Sequence, residues 1–226
     1  MDFLDFEIDG CPAVFVVAMT RAPGGKAELA GAGRGLTKEA AIAGCIGETV
    51  ERSVATRQDG LSVIEADATL LPEPPYCLPN DLWCLSDRQL AQGPHPAEDV
   101  SPEAWHATLE AHAACRKWCQ GRTAISATSV LIPLANALIG GESTLTDSNG
   151  VAAGRTLQKA EAYEVNELVE RDAVAIWWYG KVLRPAVAIE VVDESGGTML
   201  RTWLQTRARR TWLLDLTHDL QTPVIE

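Results

Sequence analysis

The chain has 226 residues, of which 46% are hydrophobic, enough to bury a substantial core in one domain or two closely packed halves. Its formal net charge of -12 argues against nucleic acid as a partner, because a phosphate backbone is held by a basic face that displaces counterions. No apolar run approaches the roughly 20 residues of a bilayer span, and Met1 to Gly10 is acidic rather than basic, so no membrane partner and no secretory signal are expected. The six cysteines lack the regular spacing of a disulfide scaffold, which fits a cytoplasmic protein with reduced thiols.

In chain order, Ala13 to Met19 is a short apolar, β-branched run bounded by Pro12 and Pro23-Gly24-Gly25, and predicts a buried strand. Thr37 follows Gly35 as an N-cap, and the spacing predicts a helix to about Ala55. Leu71 to Pro96 carries too many prolines for regular structure and predicts an irregular connection. Ser101 caps a second predicted helix, from Pro102 to about Cys119, and Thr123 to Ile132 reads as a strand. A long helix is predicted from near Thr156 to about Tyr179. Three β-like runs follow, Pro185 to Val192, Thr198 to Leu204 and Trp212 to Leu216, with Pro223 to Glu226 as the start of another. Strands flanking long helices predict an α/β (α+β) fold. A single domain over 1–226 is expected, incomplete at its C-terminal end.

The chain also matches itself. Gly35 to Arg52 set against Gly154 to Arg171 gives, without a gap, Gly-x-Thr, ten residues, then Glu-x-x-Glu-Arg. Residues three apart share a helical face, so Glu48 and Glu51 point together, as do Glu167 and Glu170. Were the two helices adjacent, four carboxylates would converge and repel one another unless cations lay between them, and hard divalent ions such as Mg²⁺ suit that role. Taken singly, each motif is also an exposed glutamate paired with an arginine four residues on, Arg52 or Arg171. Two copies with the same capping threonine favour the metal reading. A carboxylate-bridged di-iron or di-manganese bundle is a lesser alternative, since neither helix has the histidines such a bundle adds.

Other constellations carry less. His112, Cys115 and Cys119 fall at i, i+3 and i+7 of the second predicted helix but lack a fourth ligand and a Cys-x-x-Cys pair, so helix packing is expected there. No histidine is placed for a hydrolase triad. Gly33-Arg34-Gly35 lacks the third glycine of a dinucleotide fingerprint, and no P-loop is present. Arg207, Arg209 and Arg210 form a local basic cluster, read as a solvated loop or helix end. The tryptophans, Trp177 and Trp178 among them, read as core or interface anchors.

Gly33-Arg34-Gly35-Leu36-Thr37 through Glu48, Glu51 and Arg52, and Ser148-Asn149-Gly150 through Gly154 to Glu167, Glu170 and Arg171, resemble the two conserved helices of the YcaO superfamily. The continuation Trp177-Trp178-Tyr179 is similar to its azoline-forming peptide cyclodehydratases, which act in bacteriocin and microcin biosynthesis. The resemblance implies a fold of mixed sheets packed by helices and an enzyme using ATP and Mg²⁺ to activate a peptide backbone amide, cyclising Cys, Ser or Thr to azolines. It further implies that Glu48, Glu51, Glu167 and Glu170 hold Mg²⁺, with Arg34 and Asn149 placed for nucleotide contacts. The implied substrate is a precursor peptide presented by a leader-binding partner protein, and self-association into a homo-oligomer is also expected. Gly44 stands where the family has Ser and Lys159 where it has Glu. Those departures, with the early end of the chain, support an alternative reading as a non-catalytic scaffold or fragment with a degraded ATP site.

Overall fold

A computed structural model describes residues 2–21, 27–71, 86–92, 101–124, 126–139 and 148–226. It shows a mixed α/β fold with antiparallel sheets, and the chain divides into two compact units, 1–54 with 149–226, and 55–148.

In the first unit, strand β2 (Val14–Arg21) is the central strand of a three-stranded antiparallel sheet. Its β-branched run suits a pleated surface, and Val16 and Ala18 alternate into the core while Val17 does not. β1 (Asp2–Glu7) and β3 (Ala27–Gly35) flank it, and Phe6 stacks on Phe15 across the β1–β2 pair at 5.5 Å. Neither flanking strand was expected from sequence: β1 mixes acidic residues with aromatics, and β3 is built largely of Ala and Gly, which have little strand propensity.

The composition of β3 follows from what covers it. Helix α1 (Lys38–Ala55) packs Ala41 and Cys45 directly onto Val16 and Ala18. A Cβ on Gly33 would overlap the Ala41 carbonyl and the Cys45 amide, and one on Gly31 would meet Thr49 Oγ1 at 2.5 Å. The strand backbone and the helix backbone therefore approach as closely as glycine permits. Thr37 caps α1 as expected, its Oγ1 accepting from Ala40 N–H at 3.2 Å.

Elsewhere the first unit departs from the expected strands. Ala186–Val187 (β7) and Leu213–Leu214 (β8) form a two-stranded sheet, and Asp215 bridges Ile225 beyond it. Val191–Thr206 is helical with a break at Gly197 (φ 76°, ψ 162°), so the end of Pro185–Val192 and the whole of Thr198–Leu204 are helix rather than strand. Leu200, Trp203 and Leu204 are the half-buried apolar residues there, spaced i, i+3 and i+4, a helical period that outweighs the local β-like composition. A second core gathers Ala173, Leu216 and Val224, with Val169 and Trp177 packed against it.

The second unit holds a sheet ordered β4 (Val63–Glu65), β5 (Lys117–Arg122), β6 (Ser129–Pro133), with short helices α2 (Asp87–Gln92), α3 (Pro102–Ala113) and α4 (Leu134–Ala137). Ser101 caps α3 by accepting from Ala104 N–H at 3.2 Å. The helix stops at Ala113, six residues short of expectation, because Trp118 and Cys119 are buried in β5 and the Trp118 indole donates to Ala66 O at 3.1 Å. Cys115 and Cys119 are therefore not on one helix with His112. The strand expected from Thr123 begins only at Ser129, since Thr123, Ser126 and Thr128 tie their hydroxyls together in the preceding hairpin turn. Most of the proline-rich connection lies outside the described residues. The described cysteines, Cys11, Cys45, Cys115 and Cys119, are thiols rather than disulfides.

Candidate functional site

The internal repeat becomes structure in the first unit, where the second copy lies on helix α5 (Leu157–Gly180). Its start reproduces the start of α1. Thr156 Oγ1 accepts from Lys159 N–H at 3.3 Å, and Ala160 N–H donates to Thr156 O at 3.0 Å, matching Ala41 N–H to Thr37 O at 3.1 Å. A Cβ on Gly154 would meet the Ala160 amide nitrogen at 2.5 Å, and one on Gly35 the Ala41 nitrogen at 2.9 Å, so each glycine lets its chain turn tightly onto the first helical turn. The two ends also correspond. Arg52 Nε donates to Glu48 Oε1 at 2.9 Å, and Arg171 Nε to Glu167 Oε1 at 2.8 Å.

Both helices contribute to an open cleft of about 1170 Å³ within this unit. Glu48, Glu51 and Glu167 line it together with Arg34 from β3 and with Arg155 and Lys159 from the start of α5. Phe15, Ile46, Val50 and Tyr163 supply an apolar part of the wall. Glu48 is fixed from two sides, because its Oε2 also accepts from Ala32 N–H at 3.0 Å. Glu51 has its pKa raised above the ordinary carboxylate value, first by burial and then by the negative charges of Glu167 and Glu48, against the pull of the Ala153 backbone N–H and of Arg52. Carboxylates from the two copies are thus electrostatically in reach of one another. Glu170 and Asn149, expected beside them, are exposed and do not line the cleft.

The backbone donors of Ala32 and Ala153, and Arg155 in the wall, were not foreseen from sequence. Only the glycines of Gly31-Ala32-Gly33 and of Gly150 to Gly154 signalled that backbone comes close there.

Oxygen donors alone suit a hard divalent cation, and the repulsion that raises the Glu51 pKa is what a cation would relieve. Among the described residues no three acidic, histidine or cysteine groups are gathered tightly enough to cage an ion by themselves. Mg²⁺ in nucleotide sites takes one or two carboxylates and completes its shell with phosphate oxygens and water, and the set in this cleft fits that use.

A second, smaller cleft of about 430 Å³ is lined by Leu204, Trp212 and the cluster Arg207, Arg209 and Arg210, with the Arg207 guanidinium 4.5 Å from the centre of the Trp203 ring. No helix among the described residues is long and apolar enough to cross a membrane.

Comparison with known proteins gives the cleft its context. The chain is similar to YcaO from Methanopyrus kandleri, solved with AMPPCP and Mg²⁺, at a TM-score of 0.60 and 18% identity over 95% of this chain and 48% of that one. It is similar to a heterocyclase solved in complex with substrate and cofactor, at a TM-score of 0.71 and 25% identity over 99% of this chain and 32% of that one. It also resembles the heterocyclase TruD, at a TM-score of 0.59 and 30% identity over 84% of this chain and 28% of that one. The chain therefore spans less than half the length of each of these relatives. No curated protein matches it significantly. The family model described as YcaO cyclodehydratase, ATP- and Mg²⁺-binding, matches residues 32–226, which takes in both helices and the whole cleft wall apart from Phe15, and the chain belongs to the YcaO family.

Proposed function

We propose that the cleft between the two repeated helices holds ATP with Mg²⁺, and that the chain takes part in activating a backbone amide of a ribosomally made peptide so that Cys, Ser or Thr cyclises to an azoline. The observation that carries this reading is the meeting of Glu48, Glu51 and Glu167 in one cleft with Arg34, in a family described as ATP- and Mg²⁺-binding. ATP with Mg²⁺ would supply the phosphoryl group that turns the amide oxygen into a leaving group.

The side chains of this chain bind and orient. Glu48, Glu51 and Glu167 would hold the cation, with Glu48 kept in place by Arg52 and Ala32 N–H and Glu167 by Arg171. Arg34 would meet phosphate oxygens, and Phe15, Val50 and Tyr163 would offer an apolar surface beside them. Phosphoryl transfer depends chiefly on such positioning and charge neutralisation. Glu170 and Asn149, exposed outside the cleft wall, would take part only through a change in their surroundings on binding. A precursor peptide presented by a leader-binding partner, and a homo-oligomeric assembly, belong to the same reading.

The test is incubation of the chain with ATP, Mg²⁺, a presenting partner and a Cys-containing precursor, followed by mass spectrometry. Loss of one water per ring with release of phosphate is expected, and an unchanged peptide with no phosphate released contradicts the reading. A second reading, a non-catalytic scaffold, is favoured by one observation. Glu48 and Glu167 are already paired with their own arginines, and Lys159 brings a further positive charge to the wall. On that reading Mg-ATP, if it binds, is not turned over.

A further inference from the structure

We propose that the ammonium of Lys159, in the wall of the cleft that Glu48, Glu51 and Glu167 also line, meets the phosphates of a bound triphosphate directly, so that this chain binds a triphosphate with less Mg²⁺ than its carboxylates alone would require. The proposal rests on the nucleotide-site reading above and adds a property to it.

Lys159 is the third residue of α5, where its backbone N–H is taken by the Thr156 cap and its side chain lines the cleft. A positive charge at that position opposes the helix dipole, and it forgoes the reciprocal bond to the cap that Glu or Gln would make. The equivalent residue of α1 is the neutral Ala40, next to the acidic Glu39, whereas the first turn of α5 has no acidic residue at all. Lysine is thus the wrong choice for the helix alone. It becomes favourable when an anion occupies the space in front of it, and local rules are broken in this way chiefly where function requires it.

The charges around it point the same way. Among the described residues, Lys159, Arg34 and Arg155 have no carboxylate within ion-pair distance, although all three line the cleft. Glu48 and Glu167 spend their charge on Arg52 and Arg171. A triphosphate entering the cleft would meet three cationic side chains before any metal arrives, and an ammonium on a flexible stem can donate to phosphate oxygens as a point charge.

The experiment measures AMPPCP affinity of the full 226-residue chain by calorimetry, in saturating Mg²⁺ and in EDTA, for the wild type, Lys159→Gln and Lys159→Glu. The wild type is expected to retain measurable binding in EDTA. Lys159→Gln should weaken that metal-free binding about tenfold, the loss of one charge-assisted contact, while losing less in Mg²⁺. Lys159→Glu should bind only with Mg²⁺. Because Lys159 is exposed, both variants should fold, which circular dichroism verifies. Intact Mg-dependent binding by the wild type together with an unchanged Mg²⁺ requirement in Lys159→Gln and Lys159→Glu overturns the Lys159 proposal alone. No AMPPCP binding by the wild type in either condition overturns the nucleotide-site reading, and the proposal with it.

Discussion

Glu51 on α1 and Glu167 on α5 lie close enough for the second carboxylate to raise the pKa of the first. That relationship brings the two copies of an internal sequence repeat to one cleft, where their like charges act on one another. Each copy also satisfies its own first glutamate with the arginine four residues on, at 2.9 and 2.8 Å. The repeat therefore stabilises two helices and builds one charged wall, and Glu48 and Glu167 serve both roles.

Glu51 is half-buried and resists ionisation, which gives a pH signature. A carboxyl with a raised folded-state pKa favours the folded state below its unfolded value of about 4.5, and that contribution is lost as pH rises through the raised value. Glu51→Gln should therefore melt at a higher temperature than the wild type at neutral pH without divalent ions, and the gap should close below 4.5. Thermal denaturation at a series of pH values checks this, and an equal gap at all pH values would contradict it.

Glycines along β3 and α1 should respond oppositely to alanine. Gly33→Ala forces a Cβ into the Ala41 carbonyl and the Cys45 amide and should destabilise by about 2 kcal/mol or more. Gly47→Ala points into open space on the same helix and should stabilise by about 0.5–1 kcal/mol. Urea unfolding of the two variants distinguishes them.

The cap of α5 should be worth more than its ion pair. Thr156→Ala removes the acceptor of Lys159 N–H and should cost about 1 kcal/mol, whereas Arg171→Gln, which breaks a half-exposed pair, should cost under about 1 kcal/mol. Denaturant midpoints with unchanged slopes would measure both.

Asp215, which does not line the cleft, offers a second titration. Its pKa is lowered by the hydroxyl and backbone N–H of Thr217, the latter donating at 2.9 Å, and to a smaller degree by Arg184. A depressed carboxyl contributes stability above its unfolded value of 3.8, lost as pH falls through the lower folded value. Asp215→Asn should lower the melting temperature at neutral pH and converge on the wild type in strong acid.

The legible parts of the fold were those with a single dominant local signal. Thr37, Ser101 and Thr156 marked helix starts that the structure shows, and Ala13 to Met19 marked the central strand. What failed to show was decided by tertiary contact. β3 is a strand by its pairing with β2, its glycines being what the close approach of α1 requires; α3 stops early because Trp118 is buried in a sheet, and the run before Arg207 is a helix by period rather than by composition. In the cleft, carboxylate types and spacing were visible in the repeat. Which of the four glutamates face one another was not, since Glu167 turns to Glu51 while Glu170, one turn on, lies exposed outside the cleft wall.

The central claim is that Glu51 belongs to a Mg-nucleotide site. Its most direct measurement is calorimetric titration of the chain with AMPPCP in the presence of Mg²⁺, for the wild type, Glu51→Gln and the control Glu39→Gln, which removes a carboxylate from the same helix away from the cleft. Saturable binding by the wild type and Glu39→Gln, with affinity reduced about tenfold or more in Glu51→Gln, is the predicted result. Equal affinity in all three proteins, or no binding by the wild type, would contradict it.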